Sequence, residues 1–232
     1  MVSRPPGILD HAIQETPIAV LDFETTGLSP GQDRVVEVSV VRIDPGSQPK
    51  VVLDTLVNPC RRMAAAEIHG LTDRDVADAP KFEDVAQELV RSLSGCVLAA
   101  HNVYFDLRFL QFELSRLDLF REIPHLCTMY VRPLLGRKAC GLNEACLVDQ
   151  IAHVPTHSSR SDSVAAAYLW MQYCRGFDER GIGTFRDLTK RGKKYKFFAS
   201  FDHAVHGPTD EDMPRTLAPL KPRHHHEMAL VG

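Results

Sequence analysis

Asp22 and Glu24 stand two residues apart in the segment Asp22-Phe23-Glu24-Thr25-Thr26-Gly27, directly behind the apolar run Ile18-Ala19-Val20-Leu21. On an extended strand that spacing puts both carboxylates on one face. Two like charges side by side at the end of an apolar strand repel each other, or one takes up a proton. A hard cation removes the conflict, and carboxylate oxygens are the ligands that magnesium and manganese take. Taken alone, such a pair is an ordinary solvated feature of strand-to-loop turns. Two further segments, His101-Asn102-Val103-Tyr104-Phe105-Asp106 and His157-Ser158-Ser159-Arg160-Ser161-Asp162, add two carboxylates and a histidine to the set.

Asp106 and Asp162 both fall where a helix is expected to begin, and a helix N-terminus favours the ionised carboxylate that a metal requires. His157 precedes Asp162 by five residues, a rotation of about 500° on one continuous helix, so the two side chains would point apart. His157 therefore belongs to a loop. Pro155 supports this by biasing Val154 toward an extended conformation, and Ser158 or Ser159 can cap the helix that follows. From such a loop a histidine can swing toward the acidic groups when substrate arrives.

Holding these groups requires a sheet and helices, and the residue pattern supplies both. Residues 1–16, with Pro5, Pro6 and Gly7, read as a flexible leader, and order is expected from Pro17. Ile18–Leu21 reads as a central strand. Residues 34–44 and 51–57 are β-branched and partly alternating around Pro45-Gly46-Ser47, which predicts consecutive antiparallel strands. Val85, Leu89 and Leu93 predict a helix over 82–93, followed by a buried strand over 96–100. Leu107, Leu110, Leu114 and Leu117 predict a helix from Tyr104, and residues 142–151 and 159–174 predict two more. The order βββαβα, then helices, is an α/β pattern in which a crossover helix returns the chain to the sheet.

The three segments, in this order, resemble the motifs of the DnaQ-like, or DEDDh, 3′-to-5′ exonucleases, a family that includes the epsilon proofreading subunit of DNA polymerase III and RNase T. Ile68-His69-Gly70-Leu71-Thr72 looks like the family's short substrate-contacting segment, and the resemblance covers about residues 17–175. The tyrosine-dependent branch has Tyr four residues before the last Asp; Ser158 stands there, which indicates the histidine branch. Ser158-Ser159-Arg160 departs from the more usual His-Arg-Ala-Leu run.

The resemblance implies a ribonuclease H-like fold, a mixed five-stranded sheet flanked by helices, with an exonuclease domain over residues 17–176. It implies two divalent ions, Mg2+ or Mn2+: Asp22, Glu24 and Asp162 hold one, Asp22 bridges to the second, and Asp106 contributes directly or through water. Two ions about 3.5–4 Å apart stabilise both the attacking and the leaving oxygen of a phosphodiester displacement. His157 is implied as the base, and an unperturbed histidine pKa near 6.5 suits it to accept a proton at neutral pH. Phe23, Thr25, Thr26, Gly27, Leu28, His69, Asn102 and Phe105 are the implied substrate contacts, and nucleoside 5′-monophosphates released from a 3′ end the implied products.

DNA is the favoured substrate. RNA trimming, as in RNase T or oligoribonuclease, is the alternative, because the motifs are shared. A third reading is a nucleic-acid-binding or polymerase-tethered module with a vestigial site, against which the five intact residues speak. A DNA polymerase or sliding clamp would be the protein partner. Leu117-Asp118-Leu119-Phe120 looks like the core of a clamp-binding peptide, but Arg116 stands where Gln would lead, which favours core packing.

The 232 residues are 44% hydrophobic and 25% charged, within the globular range. A formal charge of -3 argues against holding nucleic acid by bulk electrostatics, so local positive charge must come from elsewhere, bound metal ions included. The six cysteines form no CxxC pair and read as reduced thiols. No segment approaches the roughly 18 uninterrupted apolar residues of a membrane helix, and a cytoplasmic protein is expected. Residues 177–232 read as a tail outside the main fold. Its first part interleaves Arg186, Lys190, Arg191, Lys193, Lys194 and Lys196 with Phe185, Tyr195, Phe197 and Phe198, suited to single strands or to ordinary packing on the domain. His224-His225-His226 reads as part of a disordered end.

Overall fold

In the computed structural model, which describes residues 8–63, 70–192 and 200–201, the apolar run after Pro17 becomes β1 (Ile18–Thr25). It is the middle strand of a five-stranded mixed sheet of order β3-β2-β1-β4-β5. β2 (Val35–Ile43) and β3 (Lys50–Leu56) form the antiparallel side. β4 (Val97–Ala100) and β5 (His125–Cys127) pair in parallel on the other. Helices among the described residues are α1 (Asp73–Val76), α2 (Phe82–Leu93), α3 (Val103–Ser115), α4 (Thr128–Val131), α5 (Leu142–Val148), α6 (Ser159–Asp178) and α7 (Phe185–Arg191).

The period of two in β1 divides the core. Ala19, Leu21 and Phe23 pack with Phe82, Val85, Leu89 and Leu93 of α2 and with Phe109, Leu110 and Leu114 of α3. Ile18 and Val20 face the other way, joining Val41 and Ile43 of β2 and Leu169, Trp170, Tyr173 and Phe177 of α6. All four residues of β4 are buried, as expected of a parallel strand with both faces covered. The four strands and the long helices stand where the pattern put them; β5, at three residues, is too short to show a period.

Two boundaries differ from expectation. Ile8 and Ile13 are 2% and 3% exposed, so the packed chain begins before Pro17 and residues 8–16 are not a flexible leader. The chain beyond 176 is not outside the core either: Phe177, Ile182, Phe185, Leu188 and Phe201 are all buried in the α6 cluster. The two segments hold each other. The Ile13 amide donates to Gly183 O at 2.9 Å, and Arg186 grips both oxygens of Asp10 at 2.6 and 2.8 Å. Neither segment has enough apolar residues to show a period, and each finds its partner far away in the chain.

Leu119 is buried and Leu117 and Phe120 pack against the α2–α3 core, so these side chains serve packing and leave a clamp little to grip. No helix among the described residues is long and apolar enough to cross a membrane. Expectations for Ile68 and His69, for Lys193 to Phe198 and for the three terminal histidines lie outside the described residues.

Phe185 stacks on Phe201 with ring centroids 5.0 Å apart and is fully buried. Phe185→Ala is expected to lower the unfolding free energy by about 3–5 kcal/mol, as for other buried Phe truncations. Urea unfolding measures this, and an unchanged midpoint would show that the segment adds nothing to the core.

Candidate active site

β4 pairs with only the first three residues of β1, Ile18 to Val20. Beyond that point the backbone of β1 loses its neighbour on one side, and the space is filled by the start of α3, which follows β4 directly. Such carboxyl-end notches are where open α/β sheets bind ligands. Asp106 Oδ1 accepts the Phe23 amide at 3.0 Å, so a side chain replaces the missing strand partner. Asp106 is 2% exposed.

Asp22 and Glu24 leave β1 on the Ile18–Val20 face, as their spacing requires. Asp162, in the first turn of α6, completes the group: one oxygen from each of Asp22, Glu24 and Asp162 lies within 4.8 Å of the others. Asp106 adjoins from the α3 side and bears electrostatically on both β1 carboxylates. His157 lies where the rotation argument puts it, in the loop before α6, exposed and with a left-handed φ of 48°. The loop leaves from an anchored point. Asp149, which ends α5, is buried and paired with Arg132 and Arg137, and Tyr173 donates to it at 3.1 Å.

Two nearby residues escaped sequence reading. The His153 side chain is 2% exposed, with Nε2 3.5 Å from Asp162 Oδ1 and 3.0 Å from Asn143 Oδ1. Glu37, 7% exposed, lies directly opposite Glu24 on β2 and accepts the Ser159 amide at 2.9 Å. Its signal was present, a lone acid in the strand run Val35-Val36-Glu37-Val38, but nothing local says which face it takes.

Burial pushes all four carboxyls above their ordinary range, and mutual repulsion adds to it at β1. Glu24 rises to about 8 through burial, then Asp162, Glu37 and Asp106. Asp106 also rises to about 8 through burial, against the pull of the Phe23 amide. Asp22 and Asp162 shift the same way, burial again being the main cause. A divalent cation fits this group: every donor is a hard oxygen, and Asp162 Oδ1 is buried with no hydrogen-bond partner among the described residues.

The implied substrate contacts divide by what their groups already do. The Phe23 side chain is in the core and its amide belongs to Asp106, so it offers nothing outward. The Thr25 hydroxyl donates to Gly27 O at 2.6 Å, the Thr26 hydroxyl to Asp33 at 3.1 Å, and the Thr26 amide to Arg34 O. A Cβ at Gly27 would lie 2.5 Å from the Asp33 carboxylate, so a side chain there would displace Asp33 from its hydrogen bonds to Thr26 and Ser29. These residues shape a rigid turn. It is pinned to α3 by Arg34, which grips buried Glu113 at 2.5 and 2.9 Å. The turn holds Leu28 out at 71% exposure, a free apolar surface. Phe105 is half-buried against Phe109, and Asn102, exposed with φ of 70°, starts α3.

The family model described as Exonuclease, RNase T, matches residues 19–170, a span containing all five motif residues, and the chain belongs to this exonuclease family. The DNA polymerase III subunit epsilon-like protein of Rhodobacter capsulatus is 34% identical over 203 residues, which is 80% of this chain and 28% of that protein. The DNA polymerase III PolC-type of Bacillus subtilis is 30% identical over 187 residues, 77% of this chain and 13% of that protein. Exonuclease X, solved in complex with 5′ overhanging duplex DNA, superposes with a TM-score of 0.54 at 26% identity, covering 75% of this chain and 99% of that one. The chain thus spans less than a third of the curated relatives named here.

Because the four carboxyls hold protons more tightly folded than unfolded, their contribution favours the folded chain most at low pH. It is lost as pH rises from the ordinary 4.5 of Glu24 toward about 8. A divalent cation displaces these protons and reverses the loss. Melting temperature in chelator should fall across that range, and added Mg2+ should raise it most at the alkaline end. A Mg2+ effect independent of pH would remove the site from consideration.

Proposed function

We propose that this chain hydrolyses the terminal phosphodiester bond at the 3′ end of DNA, single strands favoured, releasing nucleoside 5′-monophosphates. The convergence of Asp22, Glu24 and Asp162 at the end of β1, with Asp106 beside them, carries the reading. Family membership supports the reaction class. DNA is supported by the relatives named for DNA polymerase III and by the DNA complex of Exonuclease X.

Asp22, Glu24, Asp106 and Asp162 would hold two divalent ions, Mg2+ or Mn2+. Bound there, such ions neutralise the phosphate and lower the pKa of attacking water. The protein supplies the rest. The rigid Thr25–Gly27 turn and exposed Leu28 set one wall for the terminal nucleotide, with Phe105 beyond it. His157, reached from solvent, accepts the proton of the attacking water. The net charge of -3 leaves the strand to be drawn in locally rather than by a basic surface. A polymerase partner and a cytoplasmic location belong to the same proposal; the relatives' names support the first, and the six free cysteines the second.

Asp22→Ala should lower the release of mononucleotides from end-labelled single-stranded DNA by at least about a thousandfold, consistent with losing several kcal/mol of charge stabilisation. Faster release from RNA of matched sequence would shift the substrate assignment, and equal inertness toward both would sink the activity. His157→Ala should reduce kcat about 10²–10⁴-fold, the ordinary worth of a general base, without altering the melting temperature. Undiminished kcat would transfer the base role to another group.

A further inference from the structure

The row of polar residues behind the carboxylates continues across the sheet. Asp22 is directly opposite Ser39 on β2, and Ser39 is opposite Asp54 on β3; Glu24 is likewise opposite Glu37. Directly opposed residues share a face, so Ser39, Asp54 and Glu37 lie on the same side as Asp22 and Glu24, under the N-terminus of α6. The first turn of α6 is tied to all three. The Ser159 amide donates to Glu37 Oε2 at 2.9 Å, Ser163 Oγ donates to Ser39 Oγ at 2.9 Å, and Arg160 reaches Asp54 Oδ2 at 3.3 Å.

A cap from within the helix was expected here. Ser158 does occupy the N-cap position, but its side chain makes no capping hydrogen bond. The acceptor comes instead from a different element, Glu37 of β2. A carboxylate at that position satisfies one of the first-turn amides and meets the positive end of a 20-residue helix. The hydrogen bond is buried, so loss of its acceptor would leave the Ser159 amide unsatisfied away from water.

We propose, resting on the functional reading above, that Glu37 is a positioning residue: by fixing the height and rotation of α6 against β2, it brings Asp162 to Asp22 and Glu24. Ser159 and Asp162 are three apart and so lie on one face of the helix. A slip of one residue would move Asp162 by about 1.5 Å along the axis and 100° around it, enough to take its oxygen out of the group. The Ser39–Ser163 hydroxyl pair guards the same register one residue beyond Asp162. Through Oε2, Glu37 is engaged with the helix that carries Asp162, and the role assigned to it acts through that helix.

The test is calorimetric titration of the full chain with Mn2+ in the absence of nucleic acid, with hydrogen exchange at the Ser159 amide as a metal-free readout. Glu37→Ala should weaken Mn2+ binding by about tenfold or more, as losses behind a metal site do, and should unprotect the Ser159 amide. Glu37→Gln keeps an acceptor oxygen and should recover most of both. If Glu37→Ala does not fold, Glu37→Asp, which keeps the acid but withdraws it by one methylene, should weaken Mn2+ binding about fivefold, the worth of one neutral hydrogen bond, and unprotect the Ser159 amide. Wild-type affinity in Glu37→Ala, or in Glu37→Asp where Glu37→Ala does not fold, would overturn the positioning role, as would a Glu37→Gln variant as defective as Glu37→Ala. Should the wild-type chain neither bind Mn2+ nor cut nucleic acid, the functional reading falls and this inference with it.

Discussion

Four carboxylates gathered at one end of an apolar strand are the constraint around which this fold is arranged. Each is held where its charge is disfavoured by burial, and at β1 by its neighbours as well. The carboxylates repel one another. What opposes the repulsion is the remainder of the sheet: Ile18, Val20 and Val41 under α6, and Ala19, Leu21 and Phe23 under α2 and α3, are removed from water almost completely. The hydrophobic burial of those two faces fixes the strand and both helices, and the acids go where the backbone takes them. The same burial that disfavours their charges raises the advantage of a cation that would neutralise them.

Each group reaches the site by a different attachment, and the attachments differ in stiffness. Asp22 and Glu24 belong to a strand paired on both sides up to Val20. Asp106 is locked by the Phe23 amide, and Asp162 by the ties between α6 and β2. His157 stands apart, exposed, and among the described residues no hydrogen bond holds it. Under the proposed function, a rigid set of carboxylates with an unfastened histidine suits a site in which substrate completes the arrangement, because ligands must be pre-positioned to bind a small ion well while a base need only reach one proton.

The turn from Thr25 to Arg34 uses its polar groups on itself. Asp33 takes hydrogen bonds from Thr26 and from the Ser29 amide, Gly27 leaves room for it, and Arg34 is spent on Glu113. Little remains for recognising a base by hydrogen bonding. What the turn offers outward is apolar, Leu28 above all. Under the proposed function, a wall of that kind would accept any nucleobase.

Much of this was legible in the residues. The period of two placed Asp22 and Glu24 on one face, the rotation per residue excluded His157 from the helix of Asp162, and periodic apolar residues marked the four longer strands and the main helices. These follow from local geometry, which a short stretch of chain carries complete. What a local pattern cannot hold is a partner distant in sequence. Glu37 looked like any acid in a strand until β1 and α6 packed on either side of it; His153 looked like a loop residue until it met Asp162 and Asn143. The segments around Ile8 and Phe185 each appeared to lie outside the fold, because their apolar residues are too few to bury one another without meeting across the chain. Residue type and spacing determined the chemistry and the strand face it occupies. Only the tertiary structure decided which helix end is held, by what, and at what register, because those are contacts between elements and depend on packing that no single element encodes.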